Sequence, residues 1–115
     1  MIYSGSCHCG RIAYEVEGTL TEAIECNCSH CSRKGYLLWF VPRDRLTLKT
    51  PTDTLATYTF NKHVIQHHFC SHCGSAPFGE GKDPKGNAMA AINVRCLPDV
   101  DRSTLKIVQV DGKSS

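Results

Sequence analysis

The sequence predicts an all-β domain of short antiparallel strands, with cysteine knuckles of the zinc-ribbon kind at the strand ends. Apolar residues alternate with a period of two in several short segments, and Gly, Pro and Asn separate these segments. In contrast, no window of eleven residues shows a clear apolar period of 3.6. The cysteines cluster between the segments, where strands are expected to end.

The predicted strands follow one another along the chain, separated by turn residues such as Gly18, Pro42, Pro51, Gly74 and Pro98. Four segments alternate and two are short, mostly apolar runs. In chain order they are Ile12, Tyr14 and Val16; the run 36–41; Ala56, Tyr58 and Phe60; Ile65, His67 and Phe69; Ala90, Ile92 and Val94; and the run 105–110.

Length and composition predict one domain with a thin core. The chain has 115 residues, of which 41% are hydrophobic, but that count includes eight cysteines. A domain of this size with so little apolar surface to bury usually needs disulfide bonds or a bound metal for stability, and the cysteines can supply either. We therefore expect a single zinc-binding domain over residues 1–111 and a short polar tail over 112–115.

Charge and hydropathy exclude several classes of partner. The net charge is only +2 and like charges do not run in blocks, so the sequence does not predict a nucleic-acid partner. The longest apolar stretch, 36–41, is far shorter than the roughly 20 residues of a membrane-spanning helix. The N-terminus does not resemble a secretory signal, so we expect a cytoplasmic protein whose thiols stay reduced. No feature of the sequence indicates the oligomeric state.

The spacing of the cysteines indicates a closed, four-thiolate metal site. A C-x-x-C turn directs two thiolates at one cation while turn amides donate hydrogen bonds to the sulfurs. Glycines after Cys9 and Cys73, at positions 10 and 74, suit such knuckles because glycine adopts a positive φ readily. Pairing Cys7 and Cys9 with Cys70 and Cys73 gives a structural zinc site, with residues 10–69 looped between its halves.

A disulfide framework is the alternative. Eight cysteines allow 105 pairings. The absence of a secretory signal argues against disulfides, and cysteines one residue apart would each need a different distant partner.

The middle set of cysteines, Cys26, Cys28 and Cys31, predicts a second zinc site of a different kind. Three protein ligands and one open position are typical of a catalytic zinc. Alternatively, a fourth protein ligand closes the site and makes it structural. The candidates for that ligand are Cys96, His30, His67, His68 and His72, although histidines that flank metal cysteines, as His8, His30 and His72 do, are more often not ligands.

Charge then indicates which chemistry a three-thiolate site favours. Three thiolates on Zn²⁺ sum to −1, whereas the zinc sites that lower the pKa of bound water to about 7 are cationic. A free thiol has a pKa of about 8.5, and metal coordination removes its proton. The set Cys26, Cys28 and Cys31 therefore favours chemistry on a thiol substrate over metal-assisted hydrolysis.

The order C-x-C, C-x-C-x-x-C, C-x-x-C-G resembles the family of glutathione-dependent formaldehyde-activating enzymes. The matching stretches are 5–10 and 69–74, and a strand that ends in 92–97 follows them. The resemblance implies a β-tent fold and two zincs per chain. It assigns a structural zinc to Cys7, Cys9, Cys70 and Cys73 and a catalytic zinc to Cys26, Cys28 and Cys31. It also implies carbon–sulfur lyase activity, in which glutathione and formaldehyde equilibrate with S-hydroxymethylglutathione.

A glutathione site needs cations for two carboxylates, and an apolar wall would complete the pocket. The candidate cations are Arg33, Lys34, Arg43, Arg45 and Arg95, each of which is otherwise expected to be a solvated surface charge. The candidate wall residues are Trp39, Phe40 and Phe78, although a core position is the simpler expectation for Trp39 and Phe40.

Two further hypotheses belong to other functional classes. A non-catalytic zinc module with two closed sites would present its β surface to a protein or nucleic-acid partner. A redox enzyme resembling the zinc-bearing methionine sulfoxide reductases would use Cys96 as nucleophile, but it leaves Cys7, Cys9 and Cys26 without a role.

Overall fold

The computed structural model describes residues 1–60 and 64–112. These ranges contain three short 3-10 helices, at Arg43–Arg45, Val94–Cys96 and Arg102–Thr104, and one α-helix, α1, at Ser29–Lys34. The ten strands of the described residues are β1 (Ile2–Ser6), β2 (Ala13–Glu17), β3 (Glu22–Cys26), β4 (Leu38–Pro42), β5 (Leu46–Leu48), β6 (Leu55–Tyr58), β7 (Gln66–Cys70), β8 (Phe78–Lys82), β9 (Ala88–Asn93) and β10 (Lys106–Val110).

The strands form two sheets. The smaller has the order β1-β2-β5 and the larger has the order β10-β3-β4-β9-β8-β7-β6. Neighbouring strands pair antiparallel throughout, except that β10 runs parallel to β3. The prediction of a mostly antiparallel β domain is therefore confirmed, and the parallel pair at the edge of the larger sheet is an addition to it.

The residues that alternate in two of the predicted strands are buried in the core. Ile12, Tyr14 and Val16 are almost fully buried, and Ile92 and Val94 are fully buried. All five belong to one continuous hydrophobic cluster. The period of two identified these buried faces correctly because the side chains of a strand point alternately to opposite faces of its sheet.

The other face of the larger sheet forms the floor of a cleft. On β4, Trp39 and Val41 belong to the core, whereas Leu38 and Phe40 alternate with them and line the cleft. Asn93, which pairs with Leu38 across the strands, lines the same cleft. The larger sheet thus has apolar residues on both faces, of which one packs in the core and the other lines the cleft.

The alternating apolar and aromatic residues in and beside β6 and β7 lie on the face of the sheet toward the cleft, which is the less buried of its two faces. Tyr58 is 50% exposed and Ile65 is 52% exposed, whereas His68 and Cys70 on the opposite face are buried. Tyr58 pairs directly with His67, so their rings share one face. The sequence pattern found the faces of these strands correctly, but apolar character alone did not indicate which face was the more buried.

Helix α1 was not predicted. Its six residues are fewer than two turns, too few to show an apolar period. Capping supports it instead: Cys28 is the N-cap, and Gly35 ends the helix at φ 69° while its N–H donates to the carbonyl of Cys31. Within the ranges that the structure describes, no helix is both long enough and apolar enough to cross a membrane.

Candidate metal centre and adjoining clefts

The first cysteine cluster joins the two sheets. Cys7 and Cys9 directly follow β1 in the smaller sheet, Cys70 ends β7 in the larger sheet, and Cys73 lies in the turn after it. The four Sγ atoms lie within 4.8 Å of one another. The Sγ of Cys9 is 3.7 Å from that of Cys7 and 3.7 Å from that of Cys70.

Local backbone geometry turns these thiols inward, as the knuckle hypothesis predicts. Gly10 has φ 83° and Gly74 has φ 82°, so both glycines adopt the left-handed conformation. The N–H of Gly74 donates to the carbonyl of Cys70 at 2.8 Å, and the N–H of Gly10 donates to that of Cys7 at 3.3 Å. Each knuckle is thus a tight turn that ends at its glycine.

Backbone amides stabilise the thiolate form of two of these cysteines. The N–H of Cys73 is the main cause of a lowered pKa at Cys70. Burial opposes ionisation of Cys73, yet hydrogen bonds led by the N–H of Ser75 hold the pKa of its thiol at about 5. Burial raises the pKa of Cys7, although the N–H of Ile12 donates to its sulfur at 3.3 Å.

The first cluster fits zinc and not disulfides. All eight cysteines are free, and the separation of 3.7 Å between sulfurs is far longer than a disulfide bond of about 2.0 Å. Four sulfurs at about 2.3 Å from one tetrahedral zinc would lie about 3.8 Å apart, which agrees with the distances observed. The donor set and its spacing therefore match a closed tetrathiolate site.

The second cluster is built around the start of α1. Cys26 ends β3, Cys28 caps the helix and Cys31 lies one turn into it, so the three Sγ atoms lie within 4.8 Å of one another. The N–H of Cys31 donates to the Sγ of Cys28 at 3.3 Å. Burial opposes ionisation of Cys28, but this and other hydrogen bonds lower the pKa of its thiol. Burial raises the pKa of Cys31, and the neighbouring thiols add to that effect.

Within 1–60 and 64–112, no fourth Cys, His, Asp or Glu has its ligand atom within 4.8 Å of all three of these thiols. The Sγ of Cys96 instead donates to the carbonyl of Ala76 at 3.8 Å. Burial raises the pKa of the Cys96 thiol to about 11, so at neutral pH the thiol is protonated and a poor nucleophile. The structure therefore does not support Cys96 as the closing ligand or as a redox nucleophile.

The histidines considered as closing ligands lie elsewhere. His72 is exposed. The Nε2 of His68 is 2.7 Å from Oε1 of Glu80 and its Nδ1 is 2.8 Å from Oγ1 of Thr57, so both ring nitrogens are engaged. None of these groups belongs to either cysteine cluster.

His30 and His67 belong to an aromatic cluster beside α1. Their ring centroids are 4.2 Å apart, and Tyr58, Phe60 and Tyr36 also pack on His30. Both ring nitrogens of His30 are buried, with no hydrogen-bond partner among the described residues. Burial is the main cause of a lowered pKa at His30 and of a pKa of about 4 at His67, so both rings are neutral at pH 7.

Two clefts meet at the second cluster. The larger has a volume of about 320 Å³ and an almost wholly apolar surface. Its described lining comprises Ile24, Cys26, Cys28, Cys31, Tyr36, Leu38, Phe40, Phe60, Ile65, His67, Phe78, Gly79, Ala91, Asn93, Val110 and Gly112. The smaller, of about 260 Å³, has a surface divided about equally between polar and apolar atoms and is called the polar cleft below. Its described lining comprises Glu25, Cys26, Asn27, Cys31, Ser32, Gly35, Tyr36 and Gln109.

The aromatic residues proposed as a wall divide between core and cleft. Trp39 is buried and packs edge-on against Tyr3, with ring centroids 5.4 Å apart. Phe40 is 47% exposed and lines the apolar cleft, so the core position expected for it is wrong. Phe78 is buried, and its ring belongs both to the core cluster and to the cleft wall.

Two of the five candidate cations form ion pairs away from both clefts. The Nε of Arg43 lies 2.7 Å from Oε2 of Glu80, and NH1 of Arg45 lies 2.7 Å from Oε1 of Glu17. Neither arginine lines the apolar or the polar cleft.

The other three candidate cations lie nearer to α1 but also outside these two clefts. Arg33 donates to a carbonyl of its own helix at 2.9 Å, and Arg95 donates to the carbonyl of Gly35 at 3.0 Å. The Nζ of Lys34 lies 5.4 Å from the ring centroid of Phe69. Among the described residues, no lysine or arginine lines either cleft.

Gly112 is a site residue that the sequence analysis did not find. A Cβ built on it would lie 2.5 Å from the Sγ of Cys26 and 3.3 Å from the Cβ of Cys28. The segment that leads to Gly112 is held beside β3 because the N–H of Asn27 donates to the carbonyl of Val110 at 3.1 Å. The only available signal was the glycine itself, because the contact depends on the pairing of two strands far apart in sequence.

Comparison with known proteins agrees with this architecture. Residues 2–108 match the family model described as glutathione-dependent formaldehyde-activating enzyme. A crystal structure of a Rhodobacter sphaeroides protein superposes with a TM-score of 0.77 at 25% sequence identity, covering 91% of this chain and 99% of that one. The family match covers almost the whole sequence, including both cysteine clusters. The chain therefore belongs to the family of glutathione-dependent formaldehyde-activating enzymes.

Proposed function

We propose that the protein is a zinc-dependent carbon–sulfur lyase that forms and cleaves adducts between a thiol and an aldehyde, as S-(hydroxymethyl)glutathione synthase does. The observation that carries the proposal is the second cluster: three thiols converge beside an apolar cleft, without a fourth ligand from the described residues. Membership of the family, whose reaction joins glutathione to formaldehyde, supports the same reaction class.

The two clusters would have different roles. Cys7, Cys9, Cys70 and Cys73 would hold a structural zinc that ties the sheets together, because all four positions of a tetrahedral ion are filled by protein. Cys26, Cys28 and Cys31 would hold the second zinc, which, when bound, keeps a substrate thiol deprotonated at neutral pH.

The chemistry itself is an addition to a carbonyl. The thiol sulfur bonds to the aldehyde carbon, the C=O π bond opens, and the oxygen takes up a proton; the reverse reaction breaks the C–S bond and returns the aldehyde. The protein's own contribution would be positional. The N–H of Cys31 fixes the Cys28 sulfur, and the walls of the cleft exclude water and hold the two reactants together.

A reducing compartment such as the cytoplasm would keep these thiols available, since the second cluster has three sulfurs close enough to oxidise. Small thiols are also abundant in such a compartment. The proposed partner is a small-molecule thiol, whose size the cleft of about 320 Å³ beside the second cluster suits.

The experiment is a comparison of Cys28→Ser with Cys96→Ser. The first change removes one thiol of the open cluster, and the second removes a thiol outside both clusters. Cys28→Ser is expected to reduce bound zinc from two per chain to one and to abolish catalysed adduct exchange, with an unchanged circular dichroism spectrum. Cys96→Ser is expected to keep both zincs and the activity. Full activity in Cys28→Ser would overturn the proposal.

A further inference from the structure

We propose that the thiol handled at the second cluster carries an apolar substituent, of about the size of a hexyl or benzyl group, which lies in the apolar cleft. The inference rests on the proposed function and names its substrate class. It departs from glutathione, whose two carboxylates would need cationic partners.

The cleft begins at the sulfurs and continues along the outer face of the larger sheet. Cys26, Cys28 and Cys31 belong to its lining, so the substituent of a thiol held there would extend into it. Phe40 and Ile65 belong to the same lining. Its volume of about 320 Å³ is at the lower end of the range for small-molecule pockets, roughly 300–1,000 Å³, and suits a small apolar group.

Among the described residues of this lining, the few polar side chains have no charge to offer a carboxylate. Asn93 is engaged at both ends of its amide: Nδ2 donates to the carbonyl of Ala76 at 2.9 Å, and Oδ1 accepts from the N–H of Arg95 at 3.2 Å. His67 packs against the rings of His30 and Phe60. A carboxylate moved into such a cleft would lose its hydration without gaining a partner.

The polar cleft does not supply that partner either. Its described lining contains Glu25, which accepts a hydrogen bond from Gln109 at 2.9 Å, and no lysine or arginine. An acidic side chain there would repel the carboxylates of glutathione. The described linings of both clefts thus favour an uncharged thiol.

The size of the preference follows from buried area. Each methylene buried in an apolar site contributes about 0.8 kcal/mol, which corresponds to about fourfold in affinity. A series from ethanethiol to 1-hexanethiol should therefore gain about fourfold in kcat/KM per methylene until the cleft is filled.

The first test measures binding of the substituent alone, without turnover. Hexyl methyl sulfide and S-methylglutathione have no free thiol, and their binding is followed by amide chemical shifts in the zinc-loaded protein. The hexyl probe is expected to shift the amides of Phe40, Ile65 and Gly79 with saturation, whereas S-methylglutathione is expected to leave them unchanged. Saturable binding of S-methylglutathione tighter than that of the hexyl probe would overturn the inference.

A matched pair of variants assigns the binding to the cleft. Ile65 lines the cleft and is 52% exposed, and its neighbour Val64 is 59% exposed but does not line it. Ile65→Lys is expected to weaken the hexyl probe about tenfold, because it places a charge where apolar surface was buried. Val64→Lys should have no effect, and equal effects of the two changes would overturn the inference.

The second test measures turnover and separates the two proposals. Exchange between each thiol and its formaldehyde adduct is followed by NMR, with the uncatalysed rate subtracted. Catalysis that favours 1-hexanethiol over glutathione supports both proposals. Catalysis that favours glutathione overturns the inference of an apolar thiol substrate but leaves the proposed lyase activity standing. Catalysis of neither thiol by protein with two zincs overturns the lyase, and the inference with it.

Discussion

Gly112 offers a sharp test of how the second cluster is enclosed. In Gly112→Ala, the new methyl carbon would lie 2.5 Å from the Sγ of Cys26, whereas unstrained contacts between non-bonded heavy atoms are about 3.5–4.0 Å. The overlap is thus about 1 Å or more. Either Cys26 must turn away from its two partner thiols or Gly112 must move away from Cys26.

The magnitude follows from the cost of overpacking. Inserting a methyl group without room costs about 1–3 kcal/mol, and 1.4 kcal/mol corresponds to tenfold in an equilibrium constant. Because β10 is paired with β3 up to the register Val110–Cys26, the strain should fall on the thiol. We expect the second zinc to bind about 5- to 150-fold more weakly in Gly112→Ala, with the first zinc unaffected.

The assay is competition for zinc against a chromophoric chelator, which titrates the more weakly held metal separately. Gly81→Ala is the matched control, since a Cβ there would lie 3.6 Å from Cγ1 of Ile65, an ordinary contact. It should leave both zincs bound as in the unmodified protein. An unchanged second-site affinity in Gly112→Ala would refute the close packing of Gly112 against Cys26.

Three further predictions concern the rest of the molecule. Cys70→Ser removes a ligand of the closed cluster and should give a largely unfolded protein by circular dichroism, because a structural zinc contributes directly to folding. Cys96→Ser should retain two zincs by metal analysis after dialysis, and release of one would revive Cys96 as a ligand. Glu80 is bridged by Arg43 and His68 at 2.7 Å each, so Glu80→Gln should cost about 1–3 kcal/mol in urea unfolding at pH 7. Burial opposes ionisation of Glu80, but these partners lower its pKa; its contribution is therefore present above the unfolded pKa of about 4.3 and is lost as the pH falls through the folded value. The difference between Glu80→Gln and the unmodified protein should accordingly narrow as the pH falls below about 4, and a constant difference there would contradict this account.

The parts of the fold that local pattern determines could be predicted from the sequence. Ile12, Tyr14 and Val16 alternate because one face of β2 is buried, and the structure confirms that face. The turns at Gly10 and Gly74 could be predicted because a glycine directly after a metal-binding cysteine suits a turn with positive φ. The structure gives both glycines a positive φ. The cysteine spacing likewise indicated which thiols would converge.

Features that depend on the pairing of strands far apart in the chain could not be predicted from the sequence. Nothing local indicates that β10 lies parallel to β3, yet this pairing brings Gly112 to the second cluster. Helix α1 is too short for a periodic signal, and its cap is a cysteine, which was interpreted only as a metal ligand. The apolar cleft depends on the same tertiary arrangement, because its lining comes from residues between Ile24 and Gly112.

The separation of the cysteines along the chain also constrains the order of events during synthesis. The thiols of Cys26, Cys28 and Cys31 leave the ribosome almost together, but Cys9 must wait for Cys70, 61 residues later, before its site can close. In that interval Cys7 and Cys9 are free thiols on the same nascent chain as Cys26, Cys28 and Cys31. If the protein binds zinc as proposed, an ion that arrives early meets five thiols, four of which could form a wrong tetrahedral site. Correct loading would then require either slow metal delivery or exchange rapid enough to release such a trapped ion.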